Sequence, residues 1–130
     1  MRKLILLFGF AITLATGITA PVTDAEESEL DTDLMQNIED TNKSLSSNIA
    51  LQRADASKSD AKDLSAMFDV VEAHFVKKGA ADAVDLSKKS KDLAVDIIKS
   101  IDSNNFEHAS TSATELSRAC KSCHTFYKKE

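Results

Sequence analysis

Residues that interrupt helices are nearly absent from most of this chain, and their absence limits the possible folds more than any other feature. The chain has 130 residues and one proline, Pro21, after which Gly79 is the only glycine. It contains no Asn-Gly or Asp-Gly turn and no strict alternation of apolar and polar residues, so hairpins and sheets are disfavoured. The sequence therefore predicts an all-α fold.

Apolar residues recur at three- and four-residue spacing in four segments. They predict helices over about 30–52, 60–78, 81–102 and 106–128, with a polar connection at about 55–59 between the first two. Gly79 is expected to end the second helix in a left-handed conformation, and an asparagine at 104 or 105 to cap the fourth. Because short connections make successive helices antiparallel, we expect an antiparallel up-down-up-down four-helix bundle.

The chain's only two cysteines belong to a five-residue motif near the C-terminus, Cys120-Lys121-Ser122-Cys123-His124. This C-x-x-C-H pattern is the attachment signature of a c-type haem. Each thiol adds across one haem vinyl group to give a thioether, and the adjacent imidazole becomes an axial ligand of the iron. On a helix the two cysteines lie one turn apart and share a face. We therefore expect one covalently bound haem c at Cys120 and Cys123, with His124 on the iron.

Three other interpretations of the motif remain open. A disulfide or free thiol pair explains C-x-x-C but not the histidine that follows. A zinc site needs four ligands, usually from two such pairs, and His74 and His108 are distant in sequence. A thioredoxin-like pair normally sits at a helix N-terminus, whereas this pair lies near the end of a predicted helix, where the dipole opposes thiolate formation.

Met35 is the candidate for the second axial ligand. In the predicted bundle the fourth helix ends at the haem, so the first helix begins there and brings Met35 to the same end. Met35 also lies on the same inner stripe as Ile38 and Leu45. The alternative is an ordinary core methionine. The other candidates fit less well: Met67 is deeper in its helix, His108 is expected to be exposed, and His74 to be partly buried and structural.

The N-terminus predicts a secretory signal peptide and leader over residues 1–25. Arg2 and Lys3 precede an apolar stretch that is short for a membrane span, and cleavage is expected after Ala20 or Ala25. Residues 26–130 then form a single domain of about 105 residues. Export fits the motif, because covalent haem attachment in bacteria takes place outside the cytoplasm. We expect a periplasmic protein with no stable membrane span after cleavage.

The charge of the exported part argues against nucleic-acid binding. All 21 acidic residues but only 14 of the 16 basic residues follow Ala20, which leaves a net formal charge of −7. Arg118, Lys121, Lys128 and Lys129 form a basic stripe beside the motif. That stripe suits either an acidic protein partner or a solvated helix end, where the dipole favours cations.

The segment C-K-S-C-H-x-x-Y-K-K resembles the class II c-type cytochromes, the cytochrome c-prime group. The resemblance implies a four-helix bundle with the haem motif near the C-terminus. In the low-spin branch a Leu-Met pair early in the first helix supplies the sixth iron ligand, and Leu34-Met35 looks like that pair. The high-spin branch has an open site and typically an arginine one turn earlier, where this chain has Asp31 or Thr32.

Together these features predict an electron carrier rather than an enzyme. With His124 and Met35 on the iron, no position is open for a substrate, and outer-sphere transfer of single electrons to periplasmic redox proteins follows. The alternative is a five-coordinate haem protein that binds nitric oxide or carbon monoxide, with Met35 as packing only. The sequence is compatible with either a monomer or a homodimer.

Overall fold

The computed structural model describes residues 30–127, and the regular secondary structure of this part of the chain is all helical, without a strand. The four helices are α1 (Thr32–Ala50), α2 (Ala54–Lys78), α3 (Ala81–Asp102) and α4 (Phe106–Tyr127). The predicted all-α class is thus confirmed for the described residues.

The helix ends follow from local chemistry. The carboxylate of Asp31 accepts a hydrogen bond from the backbone N–H of Asp33 at 3.1 Å and caps α1. Gly79 ends α2 with φ 68°, as predicted for a residue whose missing Cβ permits the left-handed conformation. The side chain of Asn105 accepts from the N–H of His108 at 3.0 Å, which confirms the predicted asparagine cap of α4.

The predicted start of α2 is wrong. The expected polar connection at 55–59 is helical, and the true connection spans only Leu51–Arg53, with Gln52 in the left-handed region at φ 53°. The hydroxyl of Ser57 is buried and donates to the carbonyl of Arg53 at 2.8 Å. A serine whose hydroxyl bonds to a carbonyl of its own helix can be buried inside that helix. The polarity of Ser57 therefore wrongly predicts a turn.

Each helix packs against two others, and the contacts α1–α2, α2–α3, α3–α4 and α4–α1 close a ring. One large apolar side chain from each helix is completely buried at the centre: Leu45, Leu64, Ile97 and Leu116. These side chains lie on the predicted apolar stripes. The architecture is consistent with a four-helix bundle whose core unites all four elements.

Polar contacts between helices add to this core. Asp96 of α3 accepts from the buried Ser112 hydroxyl of α4 at 2.6 Å and lies 3.0 Å from Nε2 of His108. Lys91 of α3 pairs with Glu72 of α2 at 3.0 Å. Hydrogen bonds and ion pairs therefore join α3 to both α2 and α4.

Truncating the core is expected to destabilise the protein strongly. Leu64→Ala removes a fully buried side chain and leaves a cavity, which costs about 2–5 kcal/mol in the free energy of unfolding. Val70→Ala on the same helix changes a side chain that is 55% exposed and should cost less than about 0.5 kcal/mol. Urea unfolding followed by circular dichroism measures both values. Similar losses for the two variants would contradict this description of the core.

Two sequence predictions concern residues that the structure does not describe. The signal segment 1–25, with its cleavage positions, and Lys128 and Lys129 of the basic stripe lie outside residues 30–127. Within the described helices, none has the combination of length and apolarity needed to span a bilayer.

Candidate functional site

A cavity of about 510 Å³ lies among the four helices, and every helix contributes to its lining. All four predicted site residues line it: Met35 from α1, and Cys120, Cys123 and His124 from α4. Residues from opposite ends of the described chain therefore meet around one space. Its volume falls within the range of about 300–1,000 Å³ typical of small-molecule and cofactor sites.

The two cysteines are free thiols on the inner side of α4. Both are partly buried and pack against the apolar core. Burial raises the pKa of the Cys120 thiol to about 11, with a smaller contribution from the neighbouring Cys123. Burial also raises the pKa of Cys123, and the carboxylate of Asp82 adds to that effect. At neutral pH both sulfurs are therefore protonated, unlike the low-pKa thiolate of a redox-active pair.

Met35 lies in the first turn of α1, where its backbone N–H bonds to the carbonyl of Asp31 at 3.1 Å. Its side chain is half-buried and packs against the core while lining the cavity. His124 is likewise half-buried, directly after Cys123 and in the last turn of α4. A thioether and an imidazole thus border the same space.

A hydrogen bond between α1 and α4 indicates how Met35 and His124 are placed along the two helices. Nδ2 of Asn42 donates to Oγ of Ser117 at 2.9 Å, and both residues line the cavity. Met35 precedes Asn42 by seven residues, and His124 follows Ser117 by seven. Seven residues make nearly two helical turns. Met35 therefore lies on the same face of α1 as Asn42, and His124 lies on the same face of α4 as Ser117.

The walls of the cavity are mainly apolar or small. Phe68 and Val71 of α2 and Ile38 of α1 are buried there. On α3 the wall is formed in part by the buried hydroxyls of Ser87 and Ser90, which donate to the carbonyls one turn earlier in their own helix, each at 2.8 Å. Because these hydroxyls are already satisfied, they act as small residues that leave room for an occupant.

The rim of the cavity is charged. Lys43 of α1 is bonded to Glu39 at 2.9 Å and lies 3.7 Å from Asp40. The hydrogen bond that Lys43 donates to Glu39 is the main reason that the pKa of Lys43 is raised. Lys121 of α4, which is exposed, also borders the cavity. Charged side chains of both signs therefore border a cavity whose lining is otherwise mainly apolar or small.

The remaining sequence candidates lie elsewhere. Met67 packs against the core and does not line the cavity. His74 is half-buried, with its ring 5.2 Å from that of Phe75 in an edge-to-face arrangement. His108 has 53% of its side chain exposed, as expected, and its Nε2 atom lies 3.0 Å from a carboxylate oxygen of Asp96.

The site residues that sequence reasoning missed are Ser90 and Ser117, both on the cavity wall. Ser90 continues a stripe of small residues that Ala83, Ser87 and Ala94 form at helical spacing, and that stripe was the available signal. Nothing comparable marks the contact between Asn42 and Ser117, since it depends on how α1 and α4 are rotated. In the described part of the chain, no group of three or more His, Cys, Asp or Glu residues is arranged to hold a bare metal ion.

A scan against protein-family models finds no match, and searches of curated proteins and of solved structures find none either. The chemistry of the site is therefore argued from its own residues.

Proposed function

We propose that this chain is a mono-haem c-type cytochrome that carries single electrons between periplasmic redox proteins. The observation that carries the proposal is the shared cavity: Cys120, Cys123 and His124 meet Met35 around one space of about 510 Å³. The motif alone suggests haem attachment. The cavity lies at that motif, and the thioether side chain of Met35, from the other end of the described chain, also lines it. This arrangement supports the cavity as the binding site of the haem.

The residues of the cavity fit a haem. The apolar side chains of Ile38, Phe68 and Val71 suit the faces of a porphyrin, and the small side chains of Ser87 and Ser90 leave space beside them. Both thiols are free, as thioether formation requires. The sulfur of each would bond one vinyl carbon while its proton goes to the other. The porphyrin itself supplies four nitrogen ligands, so the chain needs to provide only one or two axial groups.

Cross-helix contacts support the up-down topology that the proposal requires. Lys58, near the start of α2, pairs with Asp102 at the end of α3 at 3.1 Å, as expected for antiparallel neighbours. If α1 and α4 are also antiparallel, the bond between Asn42 and Ser117 puts Met35 and His124 about 10 Å further along the bundle, opposite each other. That register suits axial ligation from two sides.

The bound haem would supply the one-electron iron couple, and the chain would set the conditions around it. Met35 and His124 would both hold the iron, which would leave no position for a substrate and favours a carrier over an enzyme. Both are neutral ligands, and Met/His ligation raises the reduction potential relative to stronger donors. The core packing of the helices would hold both side chains in place, so that little rearrangement would accompany each transfer.

The surface beside the cavity suits brief contact with a redox partner. Arg118 and Lys121 are exposed on α4, just before and within the motif, in a chain whose residues after Ala20 carry a net formal charge of −7. Cations placed there on an otherwise acidic molecule would orient an acidic partner toward the haem edge. The expected signal peptide and the covalent attachment chemistry favour the periplasm as the compartment.

Carbon monoxide distinguishes this proposal from a five-coordinate gas-binding protein. We expect the protein, purified from a bacterial host that attaches haem to exported cytochromes, to show low-spin ferric and ferrous absorption spectra. Because Met35 would hold the iron together with His124, the ferrous spectrum should stay unchanged when carbon monoxide is added. Ready binding of carbon monoxide by the wild-type protein would favour the gas-binding function and contradict electron transfer through a six-coordinate iron.

A further inference from the structure

Asn42 is a polar residue in an otherwise apolar stripe of α1. Ile38 before it and Leu45 and Ile49 after it are buried in the core, at three- and four-residue spacing. Asn42 also lines the cavity that contains Met35 and His124. A leucine at this position would continue the apolar stripe without polar desolvation, so the asparagine calls for a physical explanation.

The hydrogen bonds of Ser117 fix the orientation of the Asn42 amide. The Ser117 hydroxyl donates its single proton to the carbonyl of Ala113 at 3.1 Å. It can therefore only accept from Asn42, whose Nδ2 lies 2.9 Å away. The NH₂ group consequently faces Ser117, and the oxygen of the amide is turned away from it.

The Oδ1 atom of Asn42 is shielded from solvent and has no hydrogen-bond partner among the described residues. The positive end of the amide dipole is thus compensated by Ser117, whereas the negative end is not. In a wall of low dielectric, an uncompensated carbonyl exerts a stronger electrostatic effect than it would in water. The side chain therefore adds a net negative potential to the surroundings of the cavity.

We propose that Asn42 is a tuning residue, whose unpaired carbonyl stabilises the oxidised haem and lowers its reduction potential. This inference rests on the proposed function. With neutral axial ligands, the iron–porphyrin core carries one positive charge when oxidised and none when reduced. A fixed negative potential nearby favours the charged form, and polar groups in the surroundings of a haem are among the means by which proteins set its potential.

Two substitutions with opposite electrostatic consequences test the proposal by redox titration of the purified holoprotein. Asn42→Leu removes the dipole and should raise the midpoint potential, with an increase of about twofold in the equilibrium constant for reduction, equivalent to about 18 mV. Asn42→Asp places more negative charge at the same position and should lower the potential. If Asn42 had a purely structural role, the two substitutions would not be expected to shift the midpoint potential in opposite directions.

Asn48→Leu is the matched control on the same helix. Asn48 donates to Asp60 of α2 at 2.8 Å and does not line the cavity, so this change should leave the potential unaltered. Ser117→Ala is a second, milder variant. It removes the acceptor for Nδ2, frees the amide to rotate, and should raise the potential by less than Asn42→Leu does.

The outcomes separate this inference from the function on which it rests. Wild-type protein that takes up no haem contradicts the proposed function. Wild-type haem protein whose Asn42→Leu and Asn42→Asp variants shift in the same direction, or shift no more than Asn48→Leu, contradicts the tuning role of Asn42 alone. If Asn42→Leu fails to fold, Asn42→Asp and Ser117→Ala decide the question, because a lowered potential in the first and a raised potential in the second are still required.

Discussion

Replacing Cys120 and Cys123 together by alanine is expected to abolish covalent haem attachment. These are the only two cysteines in the chain, so no other thiol can form a thioether. After export in a host with active haem attachment, the wild-type protein should retain its haem through acid–acetone extraction. The double variant should release all of its haem to the organic phase, while each single variant should retain a haem held by one thioether.

Ser122→Ala provides the matched control for the cysteine variants. Ser122 lies between the two cysteines, and its hydroxyl donates to the carbonyl of Arg118 at 3.1 Å within α4. This substitution leaves both thiols and His124 in place, and extraction should show haem retained as in the wild type. Haem that stays with the protein in the absence of both cysteines would show that attachment takes place at some other group.

Replacing Met35 by alanine is expected to open the sixth coordination position of the iron. On this proposal, loss of the thioether would leave His124 as the single axial ligand, so the ferric spectrum should change from low-spin to high-spin. The ferrous variant should then bind carbon monoxide, whereas the ferrous wild-type protein should not. We also expect a lower reduction potential, because methionine favours the reduced iron.

Met67→Ala separates ligation from the general effect of removing a methionine. Met67 packs against the same core and is similarly half-buried, but it does not line the cavity. This variant should lose stability comparable to that lost by Met35→Ala, with a low-spin spectrum and no affinity for carbon monoxide. A high-spin wild-type spectrum that Met35→Ala leaves unchanged would remove Met35 from the proposed ligand set.

Much of the helical architecture can be predicted from this sequence because few residues interrupt it. Three- and four-residue spacing identifies four helices, and the single glycine after Pro21 marks one boundary correctly. The start of α2 was misplaced because serine favours turns in water, whereas Ser57 satisfies its hydroxyl within the helix. Local propensity predicts such an end poorly when packing buries the residue.

Some residues of the candidate site can be predicted from local sequence, whereas others depend on contacts between helices that are distant in sequence. Cys120, Cys123 and His124 are consecutive enough for their spacing to carry the prediction. The expected topology predicts Met35 as a site residue, and the structure brings it to the cavity that the motif borders. The bond between Asn42 and Ser117 depends on the rotation and register of two helices that are distant in sequence. No single-helix pattern contains that information.

The mass of the intact, denatured wild-type protein tests the central claim most directly, namely that the cavity holds a haem bound covalently by α4. Purified after export from a haem-attaching host, the protein should have the mass of the polypeptide that remains after signal cleavage plus one haem. That added mass should persist under denaturing conditions. A protein with the mass of the polypeptide alone, purified from a host that attaches haem to a control cytochrome, would contradict the proposal.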